Sequence, residues 1–170
     1  MADVALTIIG EDRPGLVSAL ATVVAIHGGN WQQSQLTRLA GQFAGVVLVD
    51  LPEDRLAVFD EALNGVRSGG VTVVAVNTNA VPAEGELMRL SLVGDDRPGI
   101  VAQISRVLAG LGVTIDSLDT HTSEAPLAGG LLFHAEAILR LPPGVEAEAI
   151  KAGIEPIAGE LMIDLDVVSA

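Results

Sequence analysis

Cysteine and tyrosine are absent from this 170-residue sequence, and aromatics are limited to three Phe and one Trp. Without cysteine there are no disulfides, no thiolate catalysis and no Cys-based metal site. With so few rings, the core has to be aliphatic, which fits a hydrophobic fraction of 49%. Basic residues are also few: nine Lys and Arg stand against 22 Asp and Glu, a formal net charge of −13. The nine are scattered. Direct contact with DNA or RNA needs clustered Lys and Arg and is not expected. The same deficit argues against an anionic membrane surface. An acidic surface suits solubility or a basic protein partner. No apolar run approaches the about 20 residues of a membrane span. The opening Met1-Ala2-Asp3-Val4 lacks the pattern of a signal peptide. The expectation is a soluble, globular, cytoplasmic protein.

What the sequence does have is a repeat. Residues 10–15 read GEDRPG and residues 94–99 read GDDRPG, each after a short apolar run, LTIIG or LSLVG. Aligned at an offset of 84, residues 10–28 and 94–112 share nine identities in 19 positions. Further on, LVDLP (48–52) parallels LRLP (139–142) at an offset of 90, and VTVVAV (71–76) parallels LMIDLD (161–166). The second copy therefore carries six extra residues, placed in TSEAPLAGG (122–130), a small, polar, proline-containing stretch.

Each copy reads the same way. A strand (3–9; 87–93) enters the DRPG turn, and a helix follows (14–27; 98–110). Its apolar stripe is Leu16, Leu20, Val23 in one copy and Ile100, Ile104, Val107 in the other, at helical spacing. Gly28 and Gly112 end these helices. Two strands come next (30–39 and 42–51; 113–122 and 130–141), the first pair joined by Ala40-Gly41 as a tight hairpin. A second helix (53–66; 144–158) and a last strand (71–79; 161–168) close each unit. The order βαββαβ, twice, predicts an α+β fold of two ferredoxin-like modules, antiparallel sheets with helices on one face. The expected domains are 1–80 and 87–170, joined by 81–86. Each is small for a core of its own, so the two are expected to pack together.

GEDRPGLVSALATVVAIHGGN and GDDRPGIVAQISRVLAGLGV resemble the opening of ACT domains, and the resemblance covers essentially the whole chain. The nearest likeness is to the glycine cleavage system transcriptional repressor family, which has two ACT domains in tandem. The resemblance implies a regulatory protein with no catalysis, cofactor or metal of its own. It implies a small amino acid such as glycine bound near the first loop, and a separate DNA-binding regulator as protein partner. ACT modules pair edge to edge or face to face, so a homodimer is compatible with it. ACT modules often carry an Asn just after the first helix, near the ligand. Here that is Asn30 in the first copy, while the second has Thr114, Ile115 and Asp116.

The chemistry of the loop suits a zwitterion. A helix start offers free N–H groups and a positive dipole end to a carboxylate. Gly15 and Leu16 would present those N–H groups; Pro14 has none. Asp12 or the amide oxygen of Asn30 would accept from an ammonium, and Arg13 would pair with the carboxylate. Asp96, Arg97, Pro98, Gly99 and Ile100 take the same roles in the second loop. The competing reading is plain folding: Asp as a helix cap, Pro in the first turn, Gly where helix and sheet pack closely, Asn30 as a turn residue.

Other motifs carry less. His27, His121 and His134 lack metal-ligand spacing. His134-Ala-Glu136 resembles the H-x-E of zinc deaminases, whose P-C-x-x-C is impossible here. Ser117, Asp119 and His121 share one side of a strand, but no serine has a nucleophile elbow. Trp31 is expected at a module interface or as a partner hot spot. Two rivals to the amino-acid-responsive regulator remain: an ACT-type interaction module without ligand, and a regulatory subunit of an amino-acid biosynthetic enzyme.

Overall fold

Along residues 2–11, Val4, Leu6, Ile8 and Gly10 are buried while Thr7 and Ile9 are exposed. That is the period of a strand covered on one face only. This strand, β1 (Ala2–Glu11), opens the computed structural model, which describes residues 1–78, 84–125, 130–158 and 162–167. The first unit continues with α1 (Leu16–Ile26), β2 (Asn30–Leu39), β3 (Gln42–Leu51), a 3-10 turn (Glu53–Arg55), α2 (Leu56–Ala62), α3 (Asn64–Arg67) and β4 (Val71–Asn77). The second comprises β5 (Glu86–Asp95), α4 (Ile100–Gly110), β6 (Thr114–Glu124), β7 (Leu131–Leu141), α5 (Ala147–Ala158) and β8 (Met162–Val167). The chain divides into Met1–Val81 and Pro82–Ala170. Of the expected linker 81–86, residues 81–83 lie outside the described residues, as do 126–129 of the insertion and the strand ends at 79, 161 and 168.

Each unit is a four-stranded antiparallel sheet, in the order β2-β3-β1-β4 or β6-β7-β5-β8. The α+β architecture of two βαββαβ modules is what the structure shows. In each, the helices cover one sheet face and enclose an aliphatic core. Leu6, Val47, Val49, Leu51 and Leu63 have no solvent contact in the first core, nor do Leu92, Leu139, Ile150 and Ile154 in the second. Among the described residues no polar side chain is buried. None of their helices is long and apolar enough to cross a membrane.

Three local expectations need correction. The helices begin at Leu16 and Ile100, two residues late, because Gly15 and Gly99 adopt left-handed backbone angles. The third buried residue of each stripe is Val24 or Leu108, with Val23 and Val107 half-buried, because the face runs i, i+4, i+8. The second helix of the first unit is not continuous over 53–66. It opens as a 3-10 turn and divides at Leu63 into α2 and α3.

The β2–β3 hairpin is as tight as expected. Ala40 (φ 50) and Gly41 (φ 80) form its turn, the positive pair of a type I′ hairpin. A left-handed alanine costs about 1–2 kcal/mol, and Asn-Gly is the favoured pair. Ala40→Asn should therefore stabilise the protein by about 1 kcal/mol in urea unfolding. An unchanged or lower midpoint would contradict this turn. The β6–β7 hairpin is six residues longer, one on each strand and four in the loop.

Candidate functional site

The DRPG loops sit where β1 and β5 hand over to helices. The Asp12 N–H donates to the Gly41 carbonyl (3.1 Å) and the Asp96 N–H to the Leu131 carbonyl (2.8 Å), so each loop starts against the neighbouring hairpin. The Asp12 carboxylate pairs with Arg38 at 3.3 Å. It does not cap the helix: neither α1 nor α4 has a side-chain cap. Pro14 and Pro98 precede the capping glycine and so stand outside the helix.

Gly15 (φ 88) and Gly99 (φ 87) hold the N-cap position. A Cβ at either would meet nothing within 4 Å. Close packing is therefore not why glycine is here; the left-handed backbone is. Asp12, Arg13, Pro14 and Gly15 are exposed, as are Asp96, Pro98 and Gly99. Leu16 and Ile100 point into the cores and offer a ligand only their backbone. The Ile100 N–H is itself engaged, donating to the Arg97 carbonyl at 3.3 Å. What remains is an uncapped helix start with first-turn N–H groups and the positive end of the helix dipole.

Both arginines reach toward the end of the second helix of their unit. Arg97 donates to Gln103 Oε1 (2.9 Å) and to the carbonyl of Ile157 near the end of α5. Arg13 lies against Gly69, where a Cβ would collide with its guanidinium.

Asn30 is not brought to the first loop. It pairs with Asp50, which also pairs with Asp3, whereas the loop follows Glu11 at the other end of β1. Eight residues of strand, roughly 26 Å, separate the two levels. Nor is Asn30 a turn residue: it begins β2, and its N–H donates to Asp50 Oδ1 at 3.0 Å. Gly28 (φ 73) makes the turn instead.

On the uncovered face of the second sheet, His121 and His134 stack with centroids 4.5 Å apart. Ser123 Oγ and His134 Nε2 share a hydrogen bond of 2.7 Å. Sequence reading missed this pair, which only the β6–β7 register brings together. Ser117, Asp119 and His121 share the uncovered face opposite Ile138, Glu136 and His134, but among the described residues no hydrogen bond links the three. Asp116 occupies a strand bulge and pairs with Arg140. Among the described residues, no three His, Cys, Asp or Glu are grouped to hold a metal. Trp31 packs half-buried against its own unit's core. On the helix side of the second sheet, a shallow apolar dimple of about 20 Å³, room for about one water, is lined by Val101, Ser105, Ile115, Leu118 and Thr120 among others.

Residues 3–74 match the ACT domain, and residues 88–152 match it again. Phosphoserine phosphatase SerB2 of Mycobacterium tuberculosis is 26% identical over 96% of this chain, but the match covers only 40% of that enzyme. A UPF0237 protein of Methanopyrus kandleri is 43% identical over 31% of this chain and 59% of its own length. The chain thus spans less than two thirds of either relative. A crystal structure of an unknown protein from Galdieria sulphuraria superposes with a TM-score of 0.87 at 27% identity, covering 99% of both chains. A protein provisionally assigned as a glycine cleavage system transcriptional repressor superposes at 0.72 with 15% identity, covering 99% of this chain and 98% of the other, a likeness of fold.

Proposed function

The chain belongs to the ACT domain family, with two copies in tandem, and from that premise we propose an amino-acid-responsive regulatory protein that works without catalysis of its own. The observation that carries this reading is the pair of exposed, uncapped helix starts at Gly15 and Gly99, built alike in two units that share the motif. An amino acid's carboxylate would lie on the first-turn N–H groups, with Asp12 or Asp96 beside the ammonium. Asn30 lies too far along its own module to join the first loop's contacts. Binding would alter the surface offered to a protein partner, through a difference in affinity between two states.

The finer reading is control of glycine or one-carbon genes through a separate DNA-binding regulator. The full-length likeness to the provisionally assigned repressor and the −13 charge support an indirect role of that kind. The match to part of SerB2 supports the alternative of a regulatory part working with a biosynthetic enzyme, and adds L-serine to glycine as a first ligand to try.

Thermal unfolding with glycine, L-serine and then each other amino acid tests the reading. A ligand at about 100 times its Kd stabilises by about 2.7 kcal/mol, or roughly 5–10 °C at this size. A rise confined to one or a few amino acids is expected. No rise with any of them would leave the fold standing and remove the sensor.

A second reading, an interaction module without ligand, is favoured by one feature. On the uncovered face of the first sheet, Ile9, Val46, Val74 and Val76 are each about half exposed. Flat thermal shifts together with a stable protein complex would select it.

A further inference from the structure

Antiparallel pairing makes the end of each first strand a neighbour of the start of the last one. Gly10 pairs with Val71, and Val93 with Met162. The arginine of each DRPG loop uses that proximity. Arg13 rests on Gly69, in the turn that closes α3 just before β4. Arg97 reaches Ile157, in the last turn of α5 before β8, and Gln103 Oε1 holds the same guanidinium nitrogen. The two copies place this side chain at the same spot, the end of the second helix, hydrogen-bonded there in the case of Arg97 and in contact only in the case of Arg13.

Those helix ends are weak on their own. Pro156 lies inside the final part of α5; it has no N–H to donate to the preceding turn and crowds the carbonyl four residues back. In the first unit, the corresponding end is the four-residue α3. A guanidinium at a helix C-terminus satisfies free carbonyls and favours the negative end of the dipole. A carboxylate is a better partner than a carbonyl for that group, because it carries full charge and accepts two parallel bonds.

We propose that this arginine is a latch: it fastens the DRPG loop to the end of the second helix, and an amino-acid carboxylate held at the loop draws the guanidinium away and frees that helix end and the last strand. The proposal rests on the amino-acid-responsive reading of the loop. It gives ligand occupancy a route to a distant part of the unit.

Hydrogen exchange on the full chain tests it. Without additive, Arg97→Ala should speed exchange in α5 and β8 on the order of tenfold relative to wild type. Equal rates would overturn the latch. Gly69→Ala is the second variant: it keeps Arg13 and its charge but removes the seat of the guanidinium. Faster exchange across α3 and β4 is expected, and no change there would overturn the latch in the first unit. Should Arg97→Ala fail to fold, Arg97→Lys takes its place, since an ammonium lacks the planar fork and should give intermediate rates. Millimolar glycine, followed by calorimetry and exchange together, separates the two proposals. Heat of binding with faster exchange in α5 and β8 supports both. Heat with unchanged exchange overturns the latch and leaves the sensor. No heat removes glycine as the signal, while the additive-free comparison still decides whether the arginine holds the helix end.

Discussion

Leu6→Ala is expected to destabilise the first unit by about 2–5 kcal/mol, the range for emptying a fully buried leucine site. Leu6 has no solvent contact and sits in one cluster with Leu16, Leu20, Val24, Phe59 and Leu63. Phe59 is the one buried aromatic of this core, with Trp31 and Phe43 packed partly buried against it. Domains are held by about 5–15 kcal/mol in total, so such a loss is a large share. Urea unfolding, with hydrogen exchange followed over residues 2–77, should report it as a lower midpoint and faster exchange in β1, β3 and β4. Val46→Ala is the control. Val46 is 47% exposed on the other face of the same sheet, and its truncation should cost within about 0.5 kcal/mol. Equal costs for the two variants would mean that the covered face of the sheet is wrongly assigned. The DRPG loop inherits its position from that face.

The fold was legible because duplication printed the same grammar twice. The apolar runs before each DRPG turn, the Ala40-Gly41 turn and the shared prolines Pro52 and Pro142 placed all eight strands within two residues of the observed ends. Helix starts were less legible, because a left-handed glycine ahead of a helix leaves the same apolar period as a helix that begins two residues earlier. The division of the second helix at Leu63 is followed at once by Asn64-Gly65, a turn-type pair that the expected helix over 53–66 runs through. The site was only half legible. Composition and spacing marked the DRPG loops, but not the direction of their side chains. Arg13 and Arg97 looked free for a carboxylate, and the neighbours that receive them, Gly69 and Ile157, are 56 and 60 residues away in sequence. Asn30 followed the helix closely in sequence, yet a helix of 11 residues carries the chain from one end of the module to the other. Arg38 opposite Asp12, and Ser123 beside His134, depend on strand register and had no local signal.

Gly15→Val should lower stability by about 2 kcal/mol, because a β-branched residue in the left-handed region is strained beyond the 1–2 kcal/mol of an ordinary one. Gly15→Ala should cost about 1–2 kcal/mol and Gly15→Asn a few tenths, since asparagine tolerates that conformation. The order Val, Ala, Asn follows from the φ of 88 alone, because no atom lies within 4 Å of the added Cβ to impose a steric ranking of its own. Urea midpoints for the three variants check it; equal costs would mean that packing, not backbone angle, holds the glycine. The same series separates folding from sensing. If Gly15 is kept only for its backbone, Gly15→Asn restores both stability and any thermal response to an amino acid. If the loop receives a ligand, Gly15→Asn recovers the fold but places a side chain in the open space beside the first-turn N–H groups. The response of the first unit should then fall, while the matching Gly99→Asn reports independently on the second. An asparagine variant that is both stable and fully responsive would move the ligand away from the helix start.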